Sequence, residues 1–327
     1  ALAAASAGRV ATVLTCRVDD PSGYGRIVRR PDGDLERIVE HRDATPEQRA
    51  ILEVNSGGYC FEAPAVFDAV RQLKPDNSQG EYYLTDVLPL LMASGRVGAF
   101  TAPDPAEVLG VNSRRDLAVA GAHMRARILE RHMAAGVTFT APDLTWVECG
   151  VDIGADTVIE PFTVLRSGVR IGRHCEVGPF CQLRAGTVLE DHAEVGNFVE
   201  VKKSRLGSHS KAKHLSYLGD ATIGARVNIG AGTITANYDG VNKHPTVIED
   251  GASTGSHTVL VAPSTLKRGA KTGAGAVVTR RTVPAGETWV GVPAKALGKA
   301  PGKALTPPRR GPKLRPPVKK KRSGRGA

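Results

Sequence analysis

Residues Val151–Val201 read VDIGAD TVIEPF TVLRSG VRIGRH CEVGPF CQLRAG TVLEDH AEVGNF VEV, with an aliphatic side chain at every sixth position: Ile153, Ile159, Leu165, Ile171, Val177, Leu183, Leu189, Val195 and Val201. Two residues before each stands a small or β-branched residue, from Val151 and Thr157 through Cys175 and Cys181 to Val199. A helix would spread such a series around its axis, and hairpins would need turn chemistry at irregular intervals. A parallel β-helix of hexapeptides accounts for it. Each hexapeptide supplies one flat face, and three faces close a triangular coil of about 18 residues. Coils stack at roughly 4.8 Å, pairing their backbone groups with the coils above and below. The aliphatic residue fills the interior and the small residue fits near the corner. Gly154, Gly172, Gly178 and Gly196 follow aliphatic positions, where the chain bends without room for a Cβ.

The remainder of the composition agrees with a narrow interior. Aromatic residues make up 5% of the 327 residues, and there are 37 glycines. No run of 18 or more apolar residues occurs, and the Ala-rich start lacks the basic flank and apolar core of a secretion signal, so the chain reads as soluble and cytoplasmic. Five cysteines without a Cys-x-x-Cys pair indicate neither a disulfide framework nor a zinc ribbon, and Cys175 and Cys181 fall on inward positions. The net charge of +11 is concentrated at one end. Residues 298–327 hold eleven Lys and Arg and no Asp or Glu, interspersed with Pro301, Pro307, Pro308, Pro312, Pro316 and Pro317. Such a segment cannot build a core, and it reads as a disordered basic tail rather than a nucleic-acid-binding domain.

Four segments are expected: a partial α/β domain over residues 1–111, a linking helix over 112–136, the β-helix over 137–297 and the tail over 298–327. In the first, strands are expected over Arg9–Val18, around Ile27 and over Asn55–Glu62. Helices are expected from Thr45, over Ala65–Leu73 and over Leu84–Ser94. No Gly-rich phosphate loop occurs in this half. Leu117, Ala120, Met124 and Ile128 give the linker its helical spacing. After Val201 the six-residue beat slips. Leu206, Ala212 and Leu218 form one register, Ile223 and Ile229 another, and Ile248, Thr254 and Leu260 restore it beyond a loop containing Asn237-Tyr238-Asp239-Gly240.

Chemistry-bearing residues gather in that irregular middle. Arg184, Lys202 and Lys243 with His214 suit an anionic substrate held beside a general base. Stacked histidines at His174 and His192 raise the question of zinc, but His209 is one residue out of step. A solvent-facing pair is the expected arrangement, since zinc needs at least three protein ligands.

Several long motifs in this region carry a resemblance. Gly196-Asn197-Phe198-Val199-Glu200-Val201-Lys202-Lys203, Lys213-His214-Leu215-Ser216-Tyr217-Leu218-Gly219-Asp220, Asn228-Ile229-Gly230-Ala231-Gly232-Thr233 and Asn237-Tyr238-Asp239-Gly240 resemble the bifunctional N-acetylglucosamine-1-phosphate uridylyltransferase / glucosamine-1-phosphate N-acetyltransferase family. The resemblance implies a left-handed β-helix, a homotrimer and acetyl transfer from acetyl-CoA to glucosamine 1-phosphate. It implies His214 as base with Glu200 and Asn237 near it. Arg184, Lys202, Tyr217, Asn228 and Lys243 would hold the sugar phosphate, and Ala231, Asn237, Tyr238, Ser256 and Ala274 the acetyl-CoA. Gly291 stands near a position where the family can carry an arginine that helps to hold CoA. In the first half, Tyr24-Gly25-Arg26-Ile27, Ile38-Val39-Glu40-His41, Asn55-Ser56-Gly57 and Gly110-Val111-Asn112 resemble the family's uridylyltransferase domain. Gly25, Glu40, Asn55 and Asn112 would contact UDP-N-acetylglucosamine, and Asn112 would share a magnesium ion. The family's nucleotide loop and metal-binding aspartate would precede this segment, so the chain is expected to be an amino-terminally truncated member. As it stands it is expected to lack uridylyl transfer. Small molecules are the expected partners, with no membrane and no specific nucleic acid. A catalytically silent scaffold and a polyanion-binding protein acting through the tail remain as alternatives.

Overall fold

The computed structural model describes residues 1–76 and 80–297, so the basic tail lies outside the described residues. The chain divides into two compact units, Ala1–Glu130 and Arg131 onward.

In the first unit, strands β1 (Ala11–Arg17), β2 (Arg26–Arg29), β3 (Leu35–Val39), β4 (Glu53–Phe61) and β5 (Val97–Thr101) form one sheet in the order β3-β2-β4-β1-β5. β1 is bonded on both sides, antiparallel to β4 and parallel to β5, and is accordingly buried along most of its length. Val13, Ile27, Leu35, Val87, Leu88 and Leu91 fill the core beside it. The helix expected at Thr45 is a single turn, Pro46–Arg49, closed by a capping box in which Thr45 and Gln48 exchange hydrogen bonds of 3.3 and 2.9 Å. The segment expected as one helix from Leu84 begins as a 3₁₀ turn, Leu84–Asp86, and becomes α-helical over Val87–Met92. Strand β5 was not anticipated, because its short run VGAFT carries little periodicity. A long helix covers Arg114–Ala134.

The second unit is the left-handed parallel β-helix. Face one stacks the strands from Trp146–Val147 through Val164–Leu165, Gln182–Leu183, Glu200–Lys202, Tyr217–Gly219 and Ile234–Ala236 to Val277–Thr279. Face two runs from Asp152–Ile153 to Thr282–Val283, and face three from Thr138–Phe139 through Glu194–Asn197 and Lys211–His214 to Asn228–Ile229. The aliphatic series lies inside: Ile159, Leu165, Val177, Leu183 and Val201 are each 0% exposed. The corners are turned by residues at positive φ, including Phe162, His174, His192 and Lys203. That conformation costs about 1–2 kcal/mol for a residue with a Cβ. The corner N–H groups offset the cost by bonding to the preceding coil, as in Phe198 N to Phe180 O and His192 N to Arg173 O, both 2.9 Å.

The slip after Val201 has a simple origin. Val201 pairs with Leu218, and Leu189 with Leu206, so the coil has lost one residue while every aliphatic still points inward. The loss falls at the corner between faces one and two, and recurs there between Leu218 and Ile223. The inserted loop occupies the same corner, between the strands Ile234–Ala236 and Thr246–Ile248. One corner of the prism therefore absorbs both the deletions and the insertion.

Candidate functional site

That irregular corner, together with the adjoining face one, gathers most of the expected sugar-phosphate residues. Tyr217 follows Glu200 by one coil in register, and Arg184 precedes it at the end of the Gln182–Leu183 strand. Arg184 Nη1 donates to Glu200 Oε1 at 2.7 Å. Lys202 stands beside Lys243, brought over by the inserted loop. The close approach and positive charge of Lys243, with a further contribution from Arg184, push the Lys202 pKa down. Two adjacent ammonium groups beside a guanidinium repel one another until an anion enters, which is the electrostatics of a phosphate site. Asn237, 6% exposed, donates to the Asp220 carboxylate. Gly219 leaves room here, because a Cβ on it would stand 2.6 Å from Tyr217 Oη and 2.8 Å from Asn237 Nδ2.

The loop is organised by Asp239, which sequence reasoning did not single out. Its Oδ1 accepts from the N–H groups of Val241 (2.9 Å) and Asn242 (2.7 Å), and its Oδ2 lies 2.6 Å from His244 Nε2. These bonds, that from Asn242 foremost, hold its carboxyl far below the usual carboxylate range. An antiparallel bridge between Tyr238 and Lys243 completes the loop. Lys243→Ala is expected to raise KM for a sugar phosphate about tenfold with a smaller change in kcat, since it would remove a charge from the expected binding set. Because the Lys202 pKa is depressed by this neighbour, anion binding should weaken as pH rises through the lowered value. In Lys243→Ala the weakening should begin at higher pH, and KM measured across the alkaline range checks both.

His214 belongs to the corner between faces three and one. The corner's hydrogen bonds run Leu215 N to Asn197 O, Gly232 N to His214 O, His257 N to Ala231 O and Gly275 N to Ser256 O. Asn197, His214, Ala231, Ser256 and Ala274 thus form a column, one from each successive coil. Beyond the imidazole the column carries only the small side chains of Ala231, Ser256 and Ala274. Asn228 lies on face three, in register with Lys211. Glu200 and Asn237, expected near the base, are bonded within the chain to Arg184 and Asp220. The partner of His214 is Asn197, whose Oδ1 lies 3.0 Å from Nδ1. No side-chain hydrogen bond among the described residues joins the His214 column to the Arg184–Lys202–Lys243 cluster.

His209 proves to be in step after all, because the residue lost after Val201 moves it under His192. His174, His192 and His209 stack with ring centroids 4.9 and 4.5 Å apart, nearly parallel. Parallel rings do not converge on an ion. Among the described residues no group of three or more His, Cys, Asp or Glu could hold a metal.

In the first unit, Gly25, Glu40 and Asn55 lie side by side. Asn55 N donates to Gly25 O at 2.8 Å, and a Cβ on Gly25 would stand 2.9 Å from Ile38 Cγ2 and 3.1 Å from Glu40 Oε1. Glu40 lines a cavity of about 590 Å³ with Asp43, Tyr83, Thr85 and Asp86, and burial, then the charges of Asp43 and Asp86, push its pKa up. Asn112 lines a second cavity, of about 270 Å³, with Asp20, Tyr24, Gly110 and Asp116. Asp116 is occupied in capping the Asn112 and Ser113 N–H groups at 3.1 and 2.8 Å. These side chains do not by themselves make a magnesium site.

A hexapeptide-repeat transferase with a nucleotidyltransferase-type unit before it is the class these features define. Residues 1–106 match the nucleotidyl transferase family, and residues 150–185 match the bacterial transferase hexapeptide (six repeats) family. The chain is 45% identical over 308 residues to the bifunctional protein GlmU of Geobacillus thermodenitrificans (strain NG80-2), covering 84% of this chain and 67% of that protein. It is 46% identical over 313 residues to that of Thermobifida fusca (strain YX), covering 85% and 64%, and 44% identical over 330 residues to that of Geobacter sulfurreducens (strain ATCC 51573 / DSM 12127 / PCA), covering 85% and 69%. The chain belongs to the family of the bifunctional protein GlmU, and it spans about two thirds of the length of these relatives.

Proposed function

We propose that the β-helix transfers the acetyl group of acetyl-CoA to the amine of glucosamine 1-phosphate, giving N-acetylglucosamine 1-phosphate. UDP-N-acetylglucosamine formation from UTP, with magnesium, would belong to the complete family protein, and both steps would supply cell-wall precursors in the cytoplasm. Among the described residues no helix is long and apolar enough to cross a membrane. The observation that carries the reading is the column in which His214 stands at the head of Ala231, Ser256 and Ala274. An extended thioester cofactor would lie along these small side chains with its acyl end at the imidazole.

The chemistry follows from the groups present. An ammonium is not a nucleophile, so neutral His214 removes its proton. The amine then attacks the thioester carbonyl, its nitrogen gives up a second proton to solvent, and the C–S bond breaks as the tetrahedral intermediate collapses. The imidazolium returns its proton to the leaving thiolate. Arg184 and Lys202 hold the phosphate, Arg as a planar fork and Lys as a point charge. Donors near Ser256 would stabilise the developing oxyanion, a contribution of about 3 kcal/mol where such donors are well placed. Release of free thiol from acetyl-CoA that depends on glucosamine 1-phosphate tests the reading.

The homotrimer is supported by the separation of the two groups. His214 and Asn228 lie on face three and the cation cluster on face one with its corner, so face three of one chain set against face one of the next would complete a site. Three chains close such a heterologous contact into a ring. Each of His214→Ala and Arg184→Ala is expected to be inactive alone. Co-expressed as mixed trimers they should recover about a quarter of wild-type activity, because each site would draw its base and its guanidinium from different chains. Mixed trimers that stay inactive would place the whole site in one chain.

A further inference from the structure

We propose that Asn197 is the positioning residue of the base: its side-chain carbonyl accepts from Nδ1 of His214, fixing the tautomer in which Nε2 is free to take a proton. This rests on the acetyl-transfer reading of His214. The strands Glu194–Asn197 and Lys211–His214 pair in parallel with Asn197 directly opposite His214, and the side chains meet at 3.0 Å between Oδ1 and Nδ1. Asn197 is held in turn by its backbone, whose carbonyl accepts from Leu215 N at 3.0 Å. The amide is thus aimed by the coil ladder rather than by a mobile loop.

The carboxylates on this face are engaged elsewhere. Lys213 Nζ lies 3.0 Å from Glu176 and 2.6 Å from Glu194, and Lys211 Nζ lies 2.7 Å from Glu194. Glu160 lines the same cavity of about 380 Å³ as Asn197 and His214 but has no hydrogen bond to the ring, and His257 stands two coils on at the same corner. A histidine that must work as a base is commonly oriented through its second nitrogen, and the partner's charge decides the imidazole's basicity. A carboxylate there would favour the imidazolium and leave less neutral base near pH 7. A neutral amide orients the ring without that effect.

The test combines a spectroscopic and a kinetic readout on the full chain. In wild type the ¹⁵N resonances of His214 should show a protonated Nδ1 and an unprotonated Nε2, and Asn197→Ala should shift the ring toward the Nε2–H form. The same variant should lower kcat about 10- to 100-fold, with KM for acetyl-CoA and for glucosamine 1-phosphate changed by less than about threefold and the melting temperature nearly unchanged. Asn197→Asp should retain more kcat than Asn197→Ala at high pH, with its acid limb displaced to higher pH because the carboxylate stabilises the imidazolium. A wild-type ring protonated on Nε2, or an Asn197→Ala enzyme with wild-type kcat and pH profile, overturns the proposal. If wild type shows no acetyl transfer at all, the functional reading falls, while the tautomer and its response to Asn197→Ala still decide the role of Asn197.

Discussion

Replacing His214 with alanine is expected to lower the turnover of acetyl transfer by about 10² or more while leaving the β-helix folded. The imidazole is exposed at the end of the strand Lys211–His214, and among the described residues its side-chain hydrogen bond is the one to Asn197, so its removal opens no cavity. The interior at this level is built by Ala212, 0% exposed, and by Leu218, neither of which the change touches. KM for both substrates should move little, because a base at His214 would act on the proton that leaves the amine and not on the phosphate. Steady-state kinetics beside a thermal melt separate the two effects. Near-normal kcat in a folded variant would remove His214 from the mechanism.

Gly196→Ala is expected to be the most damaging single-atom change near the site. A Cβ at Gly196 would collide with the carbonyl oxygen of Lys213 and stand 2.7 and 2.8 Å from its carbonyl carbon and Cα. These are backbone atoms of the next coil, fixed by the parallel register that pairs Val195 with Ala212 and Asn197 with His214. No side chain can rotate out of the way, so the coils must separate and lose ladder bonds. A loss of about 3 kcal/mol or more follows, at the upper end of overpacking costs, with His214 displaced from Asn197. Gly121→Ala is the control: in the helix Arg114–Ala134 nothing lies within 4 Å of the added methyl, and a gain of about 1 kcal/mol is expected from helix propensity. Denaturant midpoints of the two variants should therefore move in opposite directions.

The inward positions were legible in the chain because burial writes its period directly into residue type. Ile153 through Val201 could be assigned without any structure. The period alone could not show that the breaks after Val201 all fall on one corner. A coil that loses a residue keeps its aliphatics inside, and only the pairing of Leu189 with Leu206 reveals where the residue went. The same slip concealed the place of His209 under His192. Motif resemblance supplied the expected sugar-phosphate and acetyl-CoA residues as one set, whereas the fold distributes them over face one, face three and the corners on either side of face one. Asn197 was quoted within a motif but its role was not legible for a related reason: its partner lies one coil away, and neither residue type announces the pairing. Asp239 was quoted within a motif, but its three bonds to its own loop appear only when the loop is closed.

The most direct test of the central claim is the rate of thiol release from acetyl-CoA by this chain, with glucosamine 1-phosphate as acceptor and the product identified by mass. The account predicts acceptor-dependent release, stoichiometric N-acetylglucosamine 1-phosphate, and loss of at least about 10² of the rate in His214→Ala. A folded wild-type chain that releases no thiol with this acceptor, or one whose rate is unaffected by His214→Ala, would contradict it.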